Sequence, residues 1–355
     1  MEATTTDRLL EVVPNSVVDR GGSPRFGTYR GELPAVDLRQ LRGARLPGWL
    51  HWKVRRKRWH YTLAATDEVL VCQAVVDGGF VGQGFLYVVD LYEQSVVAQC
   101  QSPGLPGVQA RVNDRPGPGH RSVFRAPGAE YDLERDERGD AYRWDCTLHP
   151  VRMRHHRGLQ LDASIHPRGG APALTVISPV DGTGVVNVTQ KWAGLKVSGR
   201  LRAGSRTYRL DDGLAGLDYT QGILSRRTTW RWAQGLGRLY DGRAVGMNLV
   251  AGFNEGGDDT NENALWVGDR LIPLGRAEFD FDPDNPDRYW VVRTDDGKVE
   301  AHFEPYHVFR EERRLGVLNS RFIQPAGRFE ARISIDGKTH DVTLFGVTED
   351  QDVYW

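Results

Sequence analysis

The stretch Gly199–Trp232, GRLRAGSRTYRLDDGLAGLDYTQGILSRRTTWRW, decides the fold. Gly199 to Leu210 alternates apolar and polar residues around Gly204-Ser205, the pattern of a hairpin whose strands turn one face to a core. Asp218 then stands among apolar and small neighbours, and Thr228, Thr229, Trp230 and Trp232 follow within a short reach. Side chains alternate along a strand with a period of two, so Trp230 and Trp232 share a face. Two indoles on one face either fill a core or wall a pocket.

Upstream the text is of the same kind. KRWHYTLAATDEVLVCQAVVD at 57–77 mixes alternation with β-branched and aromatic residues, and Asp77-Gly78-Gly79 turns it back into FVGQGFLYVVDLY at 80–92. Asp-Gly pairs at 181–182, 241–242, 296–297 and 336–337 separate further short alternating runs, and such pairs accept the positive φ angles of tight hairpins. Gly104–Gly119 is rich in Pro and Gly and reads as a surface loop. Helix is scarce: Val36–Arg42 and Asn187–Leu195 are the best candidates, and both are short. Short strands with regular turns predict antiparallel barrels or sandwiches.

A chain of 355 residues exceeds what one hydrophobic core organises, so two domains are expected. Lys and Arg total 46 against 47 for Asp and Glu, a formal net charge of -1; without a positive field there is no basis for general binding to nucleic acid or anionic membranes. The start, MEATTTDRLLEVV, has neither a basic leader nor an apolar run. No apolar stretch approaches the roughly 20 residues of a membrane span, and a soluble, cytoplasmic protein is the expectation. Cys72, Cys100 and Cys146 fit neither a disulfide framework nor a zinc motif and are expected as reduced, buried small hydrophobes.

Familiar chemical motifs fail when their context is read. Gly82-Gln83-Gly84 runs into a strand, without the helix a phosphate cradle needs. Asp280, Asp282 and Asp284 have the opening spacing of a calcium loop, but Val291 stands at the closing position. His155 and His156 are adjacent and point to opposite faces of a strand. No Gly-x-Ser-x-Gly elbow is present. Arg55, Arg56, Lys57 and Arg58 read as a charged edge strand, and Asp258–Asn263 as a polar loop whose side chains could line a barrel mouth. Nothing here supplies a metal or cofactor site, so cofactor-independent function is expected.

KRWHY at 57–61, RTTWRWA at 227–233, ENALW at 262–266, QPAGRFEARI at 324–333 and GVTED at 346–350 occur in order over most of the chain. In these blocks the sequence resembles the bacterial family known as domain of unknown function 2804, a name that carries no activity. More distantly, a Gly-rich hairpin followed by Asp218, Gly222, Trp230 and Trp232 is similar to the signature of the tandem lipocalin-like proteins, among them carotenoid hydratases, tocopherol cyclases and lipocalin-type cyclases. That resemblance implies an all-β chain of two lipocalin-like antiparallel β-barrels in tandem with few short helices, and an apolar substrate held within or between them. The divisions expected are a loosely ordered segment 1–26, a first barrel 27–221 and a second 222–355, with Asp218 in the linker between them. Tyr219 and Gln221 stand where those enzymes carry histidine and tryptophan, which weakens the inference of their chemistry more than that of their fold.

Asp218 in an apolar pocket would be desolvated, its pKa raised, and so fitted to act as a general acid. Paired with Arg226 or Arg227 it would instead be structural. The faces of Trp230, Trp232 and Trp266 could stabilise a cation formed by proton transfer to an alkene or carbonyl. Tyr61, Asn248, Asn263, Gln324 and Glu349 are polar residues within or beside apolar strands; buried polar groups need partners, and they are the candidates to face substrate. Three functions follow: a cofactor-independent hydratase, isomerase or cyclase acting on a hydrophobic small molecule; a lipid or isoprenoid carrier without chemistry; or a carbohydrate-related protein using Trp and Asp for sugar stacking.

Overall fold

Alternation along the chain becomes two sheets, antiparallel but for one short parallel pair at the start of the chain, in the computed structural model, which describes residues 9–42, 54–149, 158–182, 184–255, 260–316 and 318–355. The first sheet is built from β1 (Glu11–Val12), β2 (Gly27–Arg30), β3 (Arg56–Ala65), β4 (Val69–Asp77), β5 (Gly82–Asp90), β6 (Ser95–Gly104), β7 (Ala110–Val112) and β8 (Arg121–Ala126). It continues through β9 (Ala129–Glu134), β10 (Tyr142–Leu148), β11 (Leu159–His166), β12 (Leu174–Pro179), β13 (Val186–Ala203), β14 (Arg206–Arg209) and β15 (Gly213–Ile223). The second comprises β16 (Arg227–Arg238), β17 (Ala244–Ala251), β18 (Ala264–Val267), β19 (Arg270–Pro273), β20 (Ala277–Asp280), β21 (Trp290–Thr294), β22 (Val299–Leu315), β23 (Leu318–Ile335) and β24 (Lys338–Tyr354).

The first sheet runs β6-β5-β4-β3-β15-β13-β11-β10-β9-β8-β7 and curls into a nearly closed barrel. Closure brings β8 against β5: a Cβ added to Gly84 would sit 2.5 Å from the Phe124 ring, so only glycine lets the two ends of the sheet approach. The second sheet, β19-β18-β17-β16-β24-β23-β22-β21-β20, is a half-barrel. Its separate core includes Trp290, Phe303 and Phe329, with Phe281 stacked on Trp290 at 3.7 Å.

The seam between the sheets explains the burial of β15. Every residue of GLAGLDYTQGI is buried because one face looks into the first barrel and the other is covered by the second sheet. Such doubly covered strands lose the in-out alternation of a half-exposed one. At the same seam a bulge in β13 between Trp192 and Leu195 carries Gly194 at φ 78°, and Ala193 and Gly194 lie directly on Gly246 of β17.

Several local expectations change. Asp218 is not in a linker but at the centre of β15; the chain passes between sheets only after Ile223. Asn187–Leu195 is strand within β13, where pairing on both sides outweighs its weak helical pattern. Val36–Arg42 is not helical: it runs irregularly into a turn at Arg39 and Gln40, with Val36, Leu38 and Leu41 buried, and Val36 O accepts from the Gln221 amide at 3.0 Å. Residues 9–26 are seated rather than loose: Val17 and Val18 are buried, and β1 pairs with β2, which in turn pairs with β12. Gly104–Gly119 contains the short strand β7. Arg56, Lys57 and Arg58 of the basic run lie on β3, an interior strand between β4 and β15, and Lys57 is buried with its ammonium on the carbonyls of Val54 and Gly78.

Other expectations hold. The three cysteines are unpaired and buried, and Asp336-Gly337 takes positive φ at both residues in the β23–β24 hairpin. His155, His156 and Asp258 lie outside the described residues. Among the described residues no helix is long and apolar enough to cross a membrane.

Candidate functional site

Register across the first sheet aligns one row of outward side chains. Tyr61 of β3 pairs with Asp218 of β15, and Asp218 pairs with Lys191 of β13. On the facing sheet Val250 of β17 pairs with Trp232 of β16, and Trp232 with Glu349 of β24. These rows meet across the seam and wall a cavity of about 120 Å³. That is several times what one water occupies. Trp59, Phe85, Phe253, Phe322 and Trp355 make the rest of its wall largely apolar.

The first sheet brings compensated charge. Lys191 Nζ lies 2.6 Å from Asp218 Oδ2 and 3.4 Å from Glu262 Oε2, with the Trp232 ring 5.4 Å away. Burial by itself would lower the ammonium pKa, but the Asp218 and Glu262 carboxylates more than reverse this and hold it above its ordinary value. Asp218 Oδ1 also accepts from Thr220 at 3.3 Å and from Thr189 at 3.5 Å. Glu262 accepts from Asn254 at 3.2 Å, and Asn254 is itself held by Asn187. Desolvation raises the Glu262 carboxyl, with Lys191 acting in the opposite sense.

The second sheet brings an acid without a counter-ion in direct contact. Glu349 Oε1 accepts from the Trp230 indole at 2.5 Å and Oε2 from the Gln324 amide at 2.6 Å. Burial pushes its carboxyl up to about 7, against the two hydrogen bonds that favour the carboxylate. Gln324 completes a relay, its Oε1 accepting from Tyr87 at 2.6 Å and Tyr61 at 3.4 Å. Trp230 stacks on Trp59 with ring centroids 5.6 Å apart.

The sequence profile of a family described as a domain of unknown function (DUF2804) matches residues 9–355. The chain belongs to this family. No curated protein matches it. Among solved structures it is similar to a protein provisionally assigned as AttH from Nitrosomonas europaea, at 12% identity and a TM-score of 0.46, covering 87% of this chain and 97% of that one. It is also similar to kievitone hydratase from Nectria haematococca, at 12% identity and a TM-score of 0.49, covering 84% of this chain and 88% of the other. A third likeness is to CghA with Sch210972, at 10% identity and a TM-score of 0.47, with the same two coverages.

Of the residues singled out from the sequence of this DUF2804 member, Asp218, Tyr61, Trp230, Trp232 and Glu349 line the one cavity. Asp218 pairs with Lys191 rather than with Arg226 or Arg227. Gln324 and Asn248 stand behind the wall: Asn248 accepts from the Trp232 indole at 2.8 Å and donates to Glu262 O at 2.8 Å. Trp266 and Asn263 are not part of the lining. The Trp266 indole is taken up by Pro172 O at 2.9 Å, where the second sheet packs on the first. Asn263 ties backbone, accepting from Val250 N and donating to Gly275 O.

Lys191 and Glu262 are the residues missed. Lys191 hides in the segment read as helix, and Glu262 in the run read as a polar loop whose side chains could line a barrel mouth. A lysine directly before Trp192, three residues after Val188, was the available signal, because a buried lysine requires an acid opposite it. Among the described residues, no group of three or more His, Cys, Asp or Glu side chains is placed to hold a metal ion.

Proposed function

We propose that this protein is a cofactor-independent enzyme that protonates a hydrophobic small molecule in the cavity between its two sheets, leading to hydration, isomerisation or cyclisation. One observation carries the reading. Glu349 is a buried carboxyl on an indole-walled cavity, held by neutral donors and titrating near 7. An acid poised near the working pH is suited to general acid catalysis.

In this scheme Glu349 gives its proton to an alkene or carbonyl, and the faces of Trp230, Trp232 and Trp59 meet the resulting cation. A cation–π contact in dry surroundings is worth about 2 kcal/mol. Water captures the cation in hydration and then gives up a proton to the Glu349 carboxylate. In cyclisation an internal double bond captures it, and the new cation loses a neighbouring proton to the same carboxylate. In isomerisation the first cation loses a neighbouring proton there directly. Asp218 is here a partner of Lys191, holding a balanced charge pair beside the reacting centre.

The experiment is incubation with a panel of isoprenoid and polyene compounds in deuterium oxide, followed by mass spectrometry. Wild type should install solvent deuterium in the compound it turns over, and a folded Glu349→Gln variant should be slower by about 10²-fold or more. Equal turnover by the variant defeats the acid assignment. A compound that is bound and recovered unlabelled favours a carrier instead.

A further inference from the structure

The cavity has a second polar pole, at the end away from Lys191. Along the second sheet, Arg313 of β22 pairs with Ser320 of β23, and Ser320 with Val353 of β24. Glu349 lies four residues from Val353 on the same strand, which at ~3.3 Å per residue puts the two rows roughly 13 Å apart. Between them lie Phe322 and Gln351, both cavity-lining, and the Gln351 amide is engaged by Ser320 at 2.9 Å.

Arg313 is positioned but not used up. Its Nε is on Glu311, and Glu311 Oε2 is held in turn by the Gln83 amide at 2.6 Å, so the guanidinium is anchored across the seam. Its two η nitrogens have no protein acceptor among the described residues. The side chain is 15% exposed, whereas its neighbours Glu312 and Arg314 are 69% and 84% exposed. This is the cavity mouth, close to the tip of the β22–β23 hairpin. A guanidinium fork with two free parallel donors matches a carboxylate bidentately, and a mouth position lets that carboxylate keep some of its water.

We propose that the ligand is an elongated apolar carboxylate, with its charged head on Arg313 at the mouth and its reactive carbon roughly 13 Å further in beside Glu349. The inference rests on the reading of the cavity as an apolar-ligand site and adds the head group and its orientation. The other charges facing the cavity fit this direction of entry. Asp218 and Glu262 are matched by Lys191 at the inner end, and among the described residues the other cation of the lining is Arg313, beside Glu311.

The test is tryptophan-fluorescence titration of the full chain with dodecanoate, methyl dodecanoate and dodecyltrimethylammonium at one ionic strength. Dodecanoate should bind about ten- to a hundredfold more tightly than its ester, as a charge-assisted pair allows. Arg313→Gln should erase that preference while leaving ester affinity in place. Arg313→Lys, which keeps the charge but loses the fork, should retain only part of that preference and serves if the glutamine variant does not fold. Equal affinity for acid and ester, preference for the ammonium, or an acid preference that survives in Arg313→Gln overturns the head-group assignment alone. Failure of all three compounds to bind overturns the apolar-ligand reading beneath it.

Discussion

Asp218 and Glu349 border the same cavity from opposite sheets, yet their surroundings give them different work. Asp218 has an ammonium at 2.6 Å and two threonine hydroxyls. Glu349 has an indole N–H and an amide, both neutral. One carboxyl is half of an ion pair; the other is an acid whose proton stays near neutral pH. The residue type says nothing about which is which, because environment sets the protonation state.

Breaking the ion-pair side should have the largest effect. Lys191→Met leaves Asp218 and Glu262 buried together without their cation, and the expected cost is about 3–5 kcal/mol in urea denaturation near neutral pH. The deficit should shrink toward acid pH as the Glu262 carboxyl, already raised by burial, takes up a proton. A loss below about 1 kcal/mol would show that the pair is not desolvated as described.

Next is Gln324→Leu, which removes a donor from Glu349 and strands the Tyr87 hydroxyl. We expect a loss of about 1–3 kcal/mol. The lost hydrogen bond favoured the carboxylate, so the Glu349 titration should move further up, as read by carboxyl-carbon NMR. An unchanged or lowered titration would contradict the relay.

The pH dependence follows from the same group. Folding raises the Glu349 carboxyl from 4.5 to about 7, so the folded state holds an extra proton between those values. Its contribution to stability is full below 4.5 and is lost as pH rises through 7. Denaturation curves of Glu349→Gln, which lacks this titration, should therefore gain on wild type across the window, and parallel curves would sink the assignment.

Smallest is Trp230→Phe, which keeps a ring against Trp59 but drops the indole donor to Glu349. The expected cost is about 1 kcal/mol, again with an upward shift of the acid. A downward shift would mean that the indole is not its donor.

Much of the architecture was legible in the residues. Alternating runs and Asp-Gly turns announced antiparallel strands, and the two-residue spacing of Trp230 and Trp232 put both on the cavity face. Glu349 stood out as a polar residue in an apolar strand, although nothing local distinguished it from Asn263, whose amide ties a loop. Lys191 was lost because a short segment with little alternation was read as helix. Its strand character comes from pairing with β12 and β15, which lie elsewhere in the chain.

The sequence by itself determined what can be settled over a few residues: strand and turn, side-chain parity, and the lack of any metal or phosphate motif with its proper flanks. The tertiary structure decided what depends on partners from distant strands. It set Asp218 opposite Lys191 in one register, brought Glu349 to the same cavity from the other sheet, and left the Arg313 fork open at the mouth. The physical reason is that charge and burial are properties of a neighbourhood, and in antiparallel sheets the neighbourhood is fixed by long-range register.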